Sequence, residues 1–258
     1  MQKLSVVLAT YNEEENIASC LTSIKDLADE IIVVDGSSKD NTVEIAKKYN
    51  AKIAVVENKP NFHINKQKAI EIATKEWVLQ LDADERVSEE LAHEIKSKIK
   101  NSSNVKENGY WIPRKNWFLT RFLMKGGQYP DYTLRLYARG KGRLPQKDVH
   151  EQAVVEGNIG YMISPLLHYP YQNFSSYIKK WNRYNEFFAG QIGERLKNKN
   201  LIWQLIYAVG YLIIKPGHWF LTSYVRHKGF MDYLDGFVFS LFSALRFPIS
   251  YLKYLKIL

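Results

Sequence analysis

Asp82 and Asp84 flank Ala83 directly after the apolar run Trp77 to Leu81, and this is the sharpest chemical feature of the chain. In an extended segment, residues two apart point to one side, so the two carboxylates are expected to reach a common point, directly or through water. Two hard oxygen donors beside a phosphate suit Mg²⁺ or Mn²⁺, which keep waters and take further oxygens from a diphosphate. An isolated Asp-x-Asp triplet is more often a solvated acidic turn. Here other acidic strand ends accompany it: Thr10-Tyr11-Asn12-Glu13-Glu14 and Asp35-Gly36-Ser37-Ser38. Asp35 by itself reads equally as a turn or capping residue. The convergence of three such ends favours the ligand reading.

Those ends need a scaffold, and the first hundred residues supply one. Leu4 to Thr10, Ile31 to Asp35, Lys52 to Glu57 and Trp77 to Leu81 are strand-length apolar runs, separated by segments of helical period near 17–28, 42–49 and 65–75. Strands without polar alternation, joined by helices, predict a parallel α/β sheet covered on both faces, with ligands at the carboxyl ends of the strands. A further helix is expected from Ser88. Asn101 to Asn108 reads as a loop, and 109–163 as short strands among Gly, Pro and aromatic residues. The last ninety residues read as amphipathic helices broken at Pro216-Gly217 and Pro248. The organisation expected is therefore an α/β half over 1–100, short strands and loops over 101–170, and a helical region over 171–258.

The chain has 258 residues, 46% hydrophobic and 24% charged, with mean hydropathy −0.32, which excludes global disorder and a polytopic membrane protein. Its single cysteine, Cys20, excludes an internal disulfide, and the first strand leaves no room for a signal peptide, so a cytoplasmic location is expected. The 36 Lys and Arg against 27 Asp and Glu call for an anionic partner. No G-x-G-x-x-G follows the first strand and no phosphate-binding G-x-x-x-x-G-K-[ST] occurs, which counts against dinucleotide oxidoreductases and P-loop NTPases.

The segments ATYNEEENI, VVDGSSKDNT and LQLDADERV, in this order and spacing, resemble the nucleotide-sugar-binding half of family 2 glycosyltransferases of GT-A fold. The resemblance is strong over Leu4 to Val87. DADE followed by RLY and VHE is similar to the bacterial glucosyltransferases that build the lipopolysaccharide inner core. The resemblance implies that Thr10 and Tyr11 flank the nucleotide base with Glu13 nearby, and that Asp35 contacts uracil or ribose. Family members often carry a second acid after that aspartate; this chain has Gly36. Lys66 and Lys68 stand where the family places basic residues near the nucleotide, or on a solvated helix face. Asp82 would orient the donor's ribose or sugar, and Asp84 would ligate the metal.

An inverting transfer needs a carboxylate to take the acceptor's proton. Glu151, in the VHE triplet, is the expected base, with Asp131 and Asp148 as rivals. His150 would complete the metal shell or hold a phosphate, unless it is structural, and Arg135 would bind phosphate or make a buried pairing. Leu201 to Ile214 is about 14 residues long, short of the about 20 that span a bilayer, and aromatic and basic residues surround it. Binding to the anionic inner face of the cytoplasmic membrane is therefore favoured over a packing cap, and over nucleic acid. The expected enzyme moves one sugar from a nucleotide diphosphate sugar to a glycan or lipid-linked acceptor. The rivals are a nucleotidyltransferase, which would show a glycine-rich loop after the first strand, and a basic membrane-binding module.

Overall fold

Leu4, Val6 and Leu8 alternate with Ser5 and Val7 along β1 (Leu4–Thr10), and all five are buried, because the strand is covered on both faces. The computed structural model, which describes residues 2–100, 106–145 and 152–256, places β2 (Glu30–Asp35) parallel to β1, β3 (Lys52–Val55) parallel to β2, and β4 (Trp77–Leu81) parallel to β1. In this register Thr10 lies opposite Asp35, and Leu8 opposite Leu81. The polar residues that follow these strands therefore emerge on one edge.

Helices α1 (Glu14–Ile24), α2 (Thr42–Lys47) and α3 (His63–Ile72) make the crossovers. The short β5 (Glu85–Val87) leads to α4 (Glu89–Lys100), whose start is held by the Ser88 Oγ accepting from Leu91 N at 3.2 Å. Ile17, Leu21 and Ile24 of α1 and Leu91 and Ile95 of α4 pack with Leu4, Val6 and Leu8 on one side of the sheet. Ala69 and Ile70 of α3 pack with Val7, Ile32 and Val34 on the other.

The sheet continues with antiparallel strands. β6 (Glu107–Phe118) begins where the sequence suggested a loop through Asn108, and β7 (Arg121–Phe122) folds back on it. β8 (Asp131–Ala138) lies between β4 and β6, antiparallel to both. β9 (Gly142–Arg143) pairs with β10 (Val154–Val155), and β11 (Asn158–Tyr161) runs parallel to β6. β12 (Leu166–His168) pairs with β5 and brings His168 opposite Glu85. The main path is β3-β2-β1-β4-β8-β6-β12-β5.

The chain divides into two compact units, Met1–Arg114 with Asp131–His168, and Lys115–Pro130 with Tyr169–Leu258. The second is helical. α5 (Phe174–Leu196) opens on a reciprocal cap: the Asn173 side chain accepts from Ser176 N at 2.9 Å, and Ser176 Oγ accepts from Asn173 N at 3.1 Å. α6 (Leu201–Val209), capped by Asn200, runs through a π-helical turn (Gly210–Ile214) into α7 (Lys215–Phe220) and a second such turn (Leu221–Arg226). A 3₁₀ turn (Gly229–Asp232) precedes α8 (Tyr233–Tyr254). Asp232 Oδ2 accepts from Met124 N and Lys125 N at 2.9 and 2.7 Å, and Asp235 accepts from Thr120 N at 3.0 Å, tying the 115–130 segment to this unit. At Gly236 a Cβ would meet Gly229 O at 2.0 Å, so only glycine permits that approach.

Neither expected helix break occurs. Pro216 falls in the first turn of α7, where the preceding π-helical turn has already shifted the hydrogen-bond register, and a proline there forfeits little. Pro248 lies inside α8, which is held on both sides of it by Phe247, Tyr251 and Tyr254 packing with Ile192, Leu196 and Tyr211. Among the described residues no helix is long and apolar enough to cross a membrane.

Candidate functional site

At the carboxyl end of β1 and β2, Thr10 Oγ1 donates to Asp35 Oδ2 at 2.8 Å. Asp35 is fully buried and also accepts from Ser38 N at 2.7 Å and Ser38 Oγ at 2.6 Å. It thus builds a turn and fixes Thr10 at once. Ser38 Oγ accepts from Asn12 N at 2.8 Å, which closes the loop after β1 against the loop after β2. Asn12 and Ser37 sit at φ +55° and +63°, left-handed positions that these residue types tolerate in tight loops. Tyr11 stands 42% exposed above this edge. Glu13 is half-buried: its N–H donates to Thr42 Oγ1 at 2.7 Å and its carboxylate accepts from Asn16 Nδ2 at 2.8 Å. At Gly36, in place of the family's second acid, a Cβ would meet the Asn58 side chain at 3.1 Å, so the position is tight.

The Asp82-Ala83-Asp84 segment is not extended. Glu85 N donates to Asp82 O at 3.0 Å and the Glu85 carboxylate accepts from Asp82 N at 2.9 Å, forming a turn that sends the two aspartates to different partners. Asp82 pairs with Lys66 Nζ through Oδ1 and with Arg135 Nη2 at 2.7 Å through Oδ2. Arg135, on β8, also binds Gln80 Oε1 and reaches the fully buried Glu85 at 2.8 Å. Glu85 in turn meets Arg114 Nη1 at 3.3 Å, and Arg114 grips Asp131 through Nε and Nη2 at 3.0 and 2.7 Å. Acids and bases alternate along this chain of contacts, which is what permits so many charges away from water. Burial by itself would raise the Asp82 carboxyl; the Arg135 guanidinium and Lys66 ammonium override it and hold Asp82 well below the usual carboxylate range. Burial would likewise lower Arg135, and Asp82 and Glu85 push it up. Asp82 is therefore an anion at any working pH.

Asp84 Oδ2 lies 3.3 Å from His168 Nε2, both side chains being partly open to solvent. Adjacent donors of an octahedral divalent ion with bonds of about 2.1 Å stand about 3 Å apart, so this oxygen and nitrogen fit two neighbouring positions of Mg²⁺ or Mn²⁺. Among the described residues no cluster of three or more His, Cys, Asp or Glu side chains could hold a metal. An ion at this pair would take its remaining donors from water and a diphosphate.

Lys66 joins the site through Asp82, whereas Lys68, on the same helix, is exposed. Arg135 proves to make the buried pairing, and Asp131 is committed to Arg114. Glu151, His150 and Asp148 lie outside the described residues. Sequence reasoning missed Glu85, Arg114 and His168. The first was legible in principle, since an acid directly after Asp-x-Asp sits where it can cap the turn. Arg114 and His168 come from strands whose pairing with β8 and β5 no local pattern reveals.

A family model described as Glycosyl transferase family 2 matches residues 5–151. A glycosyltransferase of Rickettsia typhi is 29% identical over 95% of this chain and 84% of its own length. The lipopolysaccharide core biosynthesis glycosyltransferase LpsC of Rhizobium meliloti is also 29% identical, over 93% of this chain and 90% of its own. Among solved structures, residues 1–349 of S. aureus TarS align at 14% identity with a TM-score of 0.48, covering 99% of this chain and 92% of that one. With the family model spanning more than half the chain and the parallel strands ordered β3-β2-β1-β4, the chain is a glycosyltransferase of family 2 on a GT-A fold.

Proposed function

We propose that this glycosyltransferase moves one sugar, with inversion, from a nucleotide diphosphate sugar of the UDP type to a glycan or lipid-linked acceptor of the cell envelope, at the cytoplasmic face of the membrane. The observation that carries this is that Thr10, Asp35 and the charged Asp82 all stand at the carboxyl ends of adjacent parallel strands, β1, β2 and β4. Likeness to LpsC along most of both chains supports the lipopolysaccharide core as the acceptor class. In this reading Tyr11 and Thr10 border the base, and Asp35 and Glu13 hold that border. Asp82 orients the ribose or sugar, and Lys66 fixes Asp82 and adds positive charge near the diphosphate, with Lys68 further out.

Asp84 would hold Mg²⁺ or Mn²⁺ together with His168, the residue that the fold puts beside it, and His150 remains a further donor. The ion, when bound, neutralises the charge that develops on the departing diphosphate. Glu151 is the base of this proposal, since Asp131 has Arg114 as its partner. Two guanidinium hydrogen bonds from Arg114 already occupy the Asp131 Oδ2 oxygen.

Calorimetry with UDP and Mn²⁺ tests the donor site. Asp84→Ala and His168→Ala should each weaken Mn²⁺-dependent UDP binding about tenfold or more while the fold persists. Glu151→Gln should bind UDP normally and lose transfer. Metal-independent UDP binding in the wild type would sink the metal reading, and normal turnover by Glu151→Gln would move the base elsewhere.

A further inference from the structure

The charge of the chain is unevenly divided. The helical unit carries 15 Lys and Arg against 4 Asp and Glu, whereas the α/β unit carries 21 against 23, so the whole positive excess belongs to the helices. Of the four helical-unit acids, Glu186 pairs with Lys253 at 3.4 Å, and Asp232 and Asp235 are spent on backbone N–H groups. Few counter-charges remain.

A cavity of about 250 Å³ in this unit is lined by Arg195 and Gln191 of α5, Lys215 of α7 and Arg246 of α8. Among the described residues no carboxylate pairs with any of these three cations. Their neighbours are rings: Lys215 Nζ stands 3.5 Å from the Tyr211 centroid, and the Arg246 guanidinium 4.7 and 4.9 Å from those of Phe247 and Trp219. Ring faces offset part of the charge but accept few of the hydrogen bonds that a guanidinium and an ammonium offer. Burial pushes Arg246 below its ordinary value, as befits a cation without a counter-ion. Three cations that line one cavity and that no carboxylate neutralises suit the chemistry of a phosphate.

Helix α6 and the π-helical turn that leads into Lys215 present an apolar stripe to solvent. Leu201, Ile202, Leu205, Ile206, Val209 and Ile213 are each between 48 and 68% exposed, while Tyr211 on the opposite side is buried. At 1.5 Å per residue this stripe is about 20 Å long, too short for a bilayer's hydrocarbon of about 30 Å and suited to lying in its surface. Nucleic acid would satisfy the cations and leave the stripe in water. A second copy would cover the stripe but set one strongly basic unit against another.

We infer that this unit is a lipid-docking module in which Arg195, Lys215 and Arg246 take the phosphate of an anionic phospholipid and the 201–213 stripe enters the bilayer interface. The inference does not depend on the transfer reaction. It extends the membrane location to a defined site.

Flotation of the full chain with phosphatidylglycerol or phosphatidylcholine vesicles, without nucleotide, tests it. The wild type should float far more with the anionic vesicles than with phosphatidylcholine, on which the stripe alone leaves a small residual. Each surface cation contributes about 1 kcal/mol of membrane attraction, a factor of about five. The double variant Lys215→Gln/Arg246→Gln should lose more than the roughly 25-fold of two surface charges, and the control Lys197→Gln/Lys199→Gln no more than that. Leu205→Glu/Ile206→Glu should abolish binding, with an unchanged helical circular dichroism spectrum as the check on folding. Equal losses in the two cation pairs would reduce the site to general attraction and overturn it. Absence of binding to anionic vesicles, or a wild-type dimer dispersed by Leu205→Glu/Ile206→Glu, would also overturn it, the latter by making a second copy the occupant.

Discussion

Arg135 shows how one side chain sets the chemistry of another. Its Nη2 lies 2.7 Å from Asp82 and 2.8 Å from Glu85, and the latter is fully buried. Removing one member of a buried ion pair leaves the other uncompensated, at a cost of about 3 to 5 kcal/mol. Arg135→Gln is thus expected to lower stability by about 3 kcal/mol in urea denaturation and to weaken UDP binding, because Asp82 is no longer held. Arg135→Lys should recover less than half, since an ammonium cannot serve both carboxylates with a planar fork. Wild-type stability in Arg135→Gln would show that Arg114 and Lys66 suffice. The Asp-x-Asp triplet was legible in the sequence because its types and position announce acidity at a strand end. Its real geometry was not, because the cation that takes Asp82 and Glu85 comes from β8, 50 or more residues away.

Among the elements, the parallel strands were legible because apolar runs of strand length alternate with segments of helical period. The helices around Pro216 and Pro248 were not, since local proline rules carry no knowledge of π-helical turns or flanking aromatic packing. One clasp at the opposite edge of the sheet binds several elements at once. Glu30 of β2 accepts from Ser5 Oγ of β1 at 2.5 Å, Lys52 Nζ of β3 at 2.6 Å, and Thr74 N before β4 at 2.9 Å. Burial would raise this carboxyl, but Lys52, Ser5 and Thr74 outweigh it and bring it down to about 2. A carboxyl depressed by folding stabilises the native state above its unfolded value, near 4.5, and that stability is lost as pH falls toward 2. The full shift is on the order of 3 kcal/mol. The stability difference between the wild type and Glu30→Gln, measured by urea denaturation, should be constant above about pH 5.5 and shrink steadily toward pH 3. A difference that stays the same throughout would mean that Glu30 keeps its ordinary value.

For the whole molecule, the net charge of +9 conceals a division between a nearly neutral α/β unit and a basic helical one. The family resemblance speaks to the first, since the matched residues end at 151, and nothing in it names a partner for the second. Charge and apolar surface make separable contributions to membrane docking, because salt screens exposed cations over about 10 Å at 0.1 M and leaves the burial of leucine and isoleucine untouched. Binding to anionic vesicles should therefore weaken as NaCl rises to about 0.5 M and then level off at a residual carried by the 201–213 stripe. In Leu205→Glu the residual should fall, because a carboxylate in the stripe opposes both terms, whereas Lys215→Gln should weaken the low-salt binding and leave the plateau. Complete release of the wild type at high salt would reduce docking to electrostatics alone. A plateau equal to the low-salt value would mean that the basic excess of the helical unit serves some other anion.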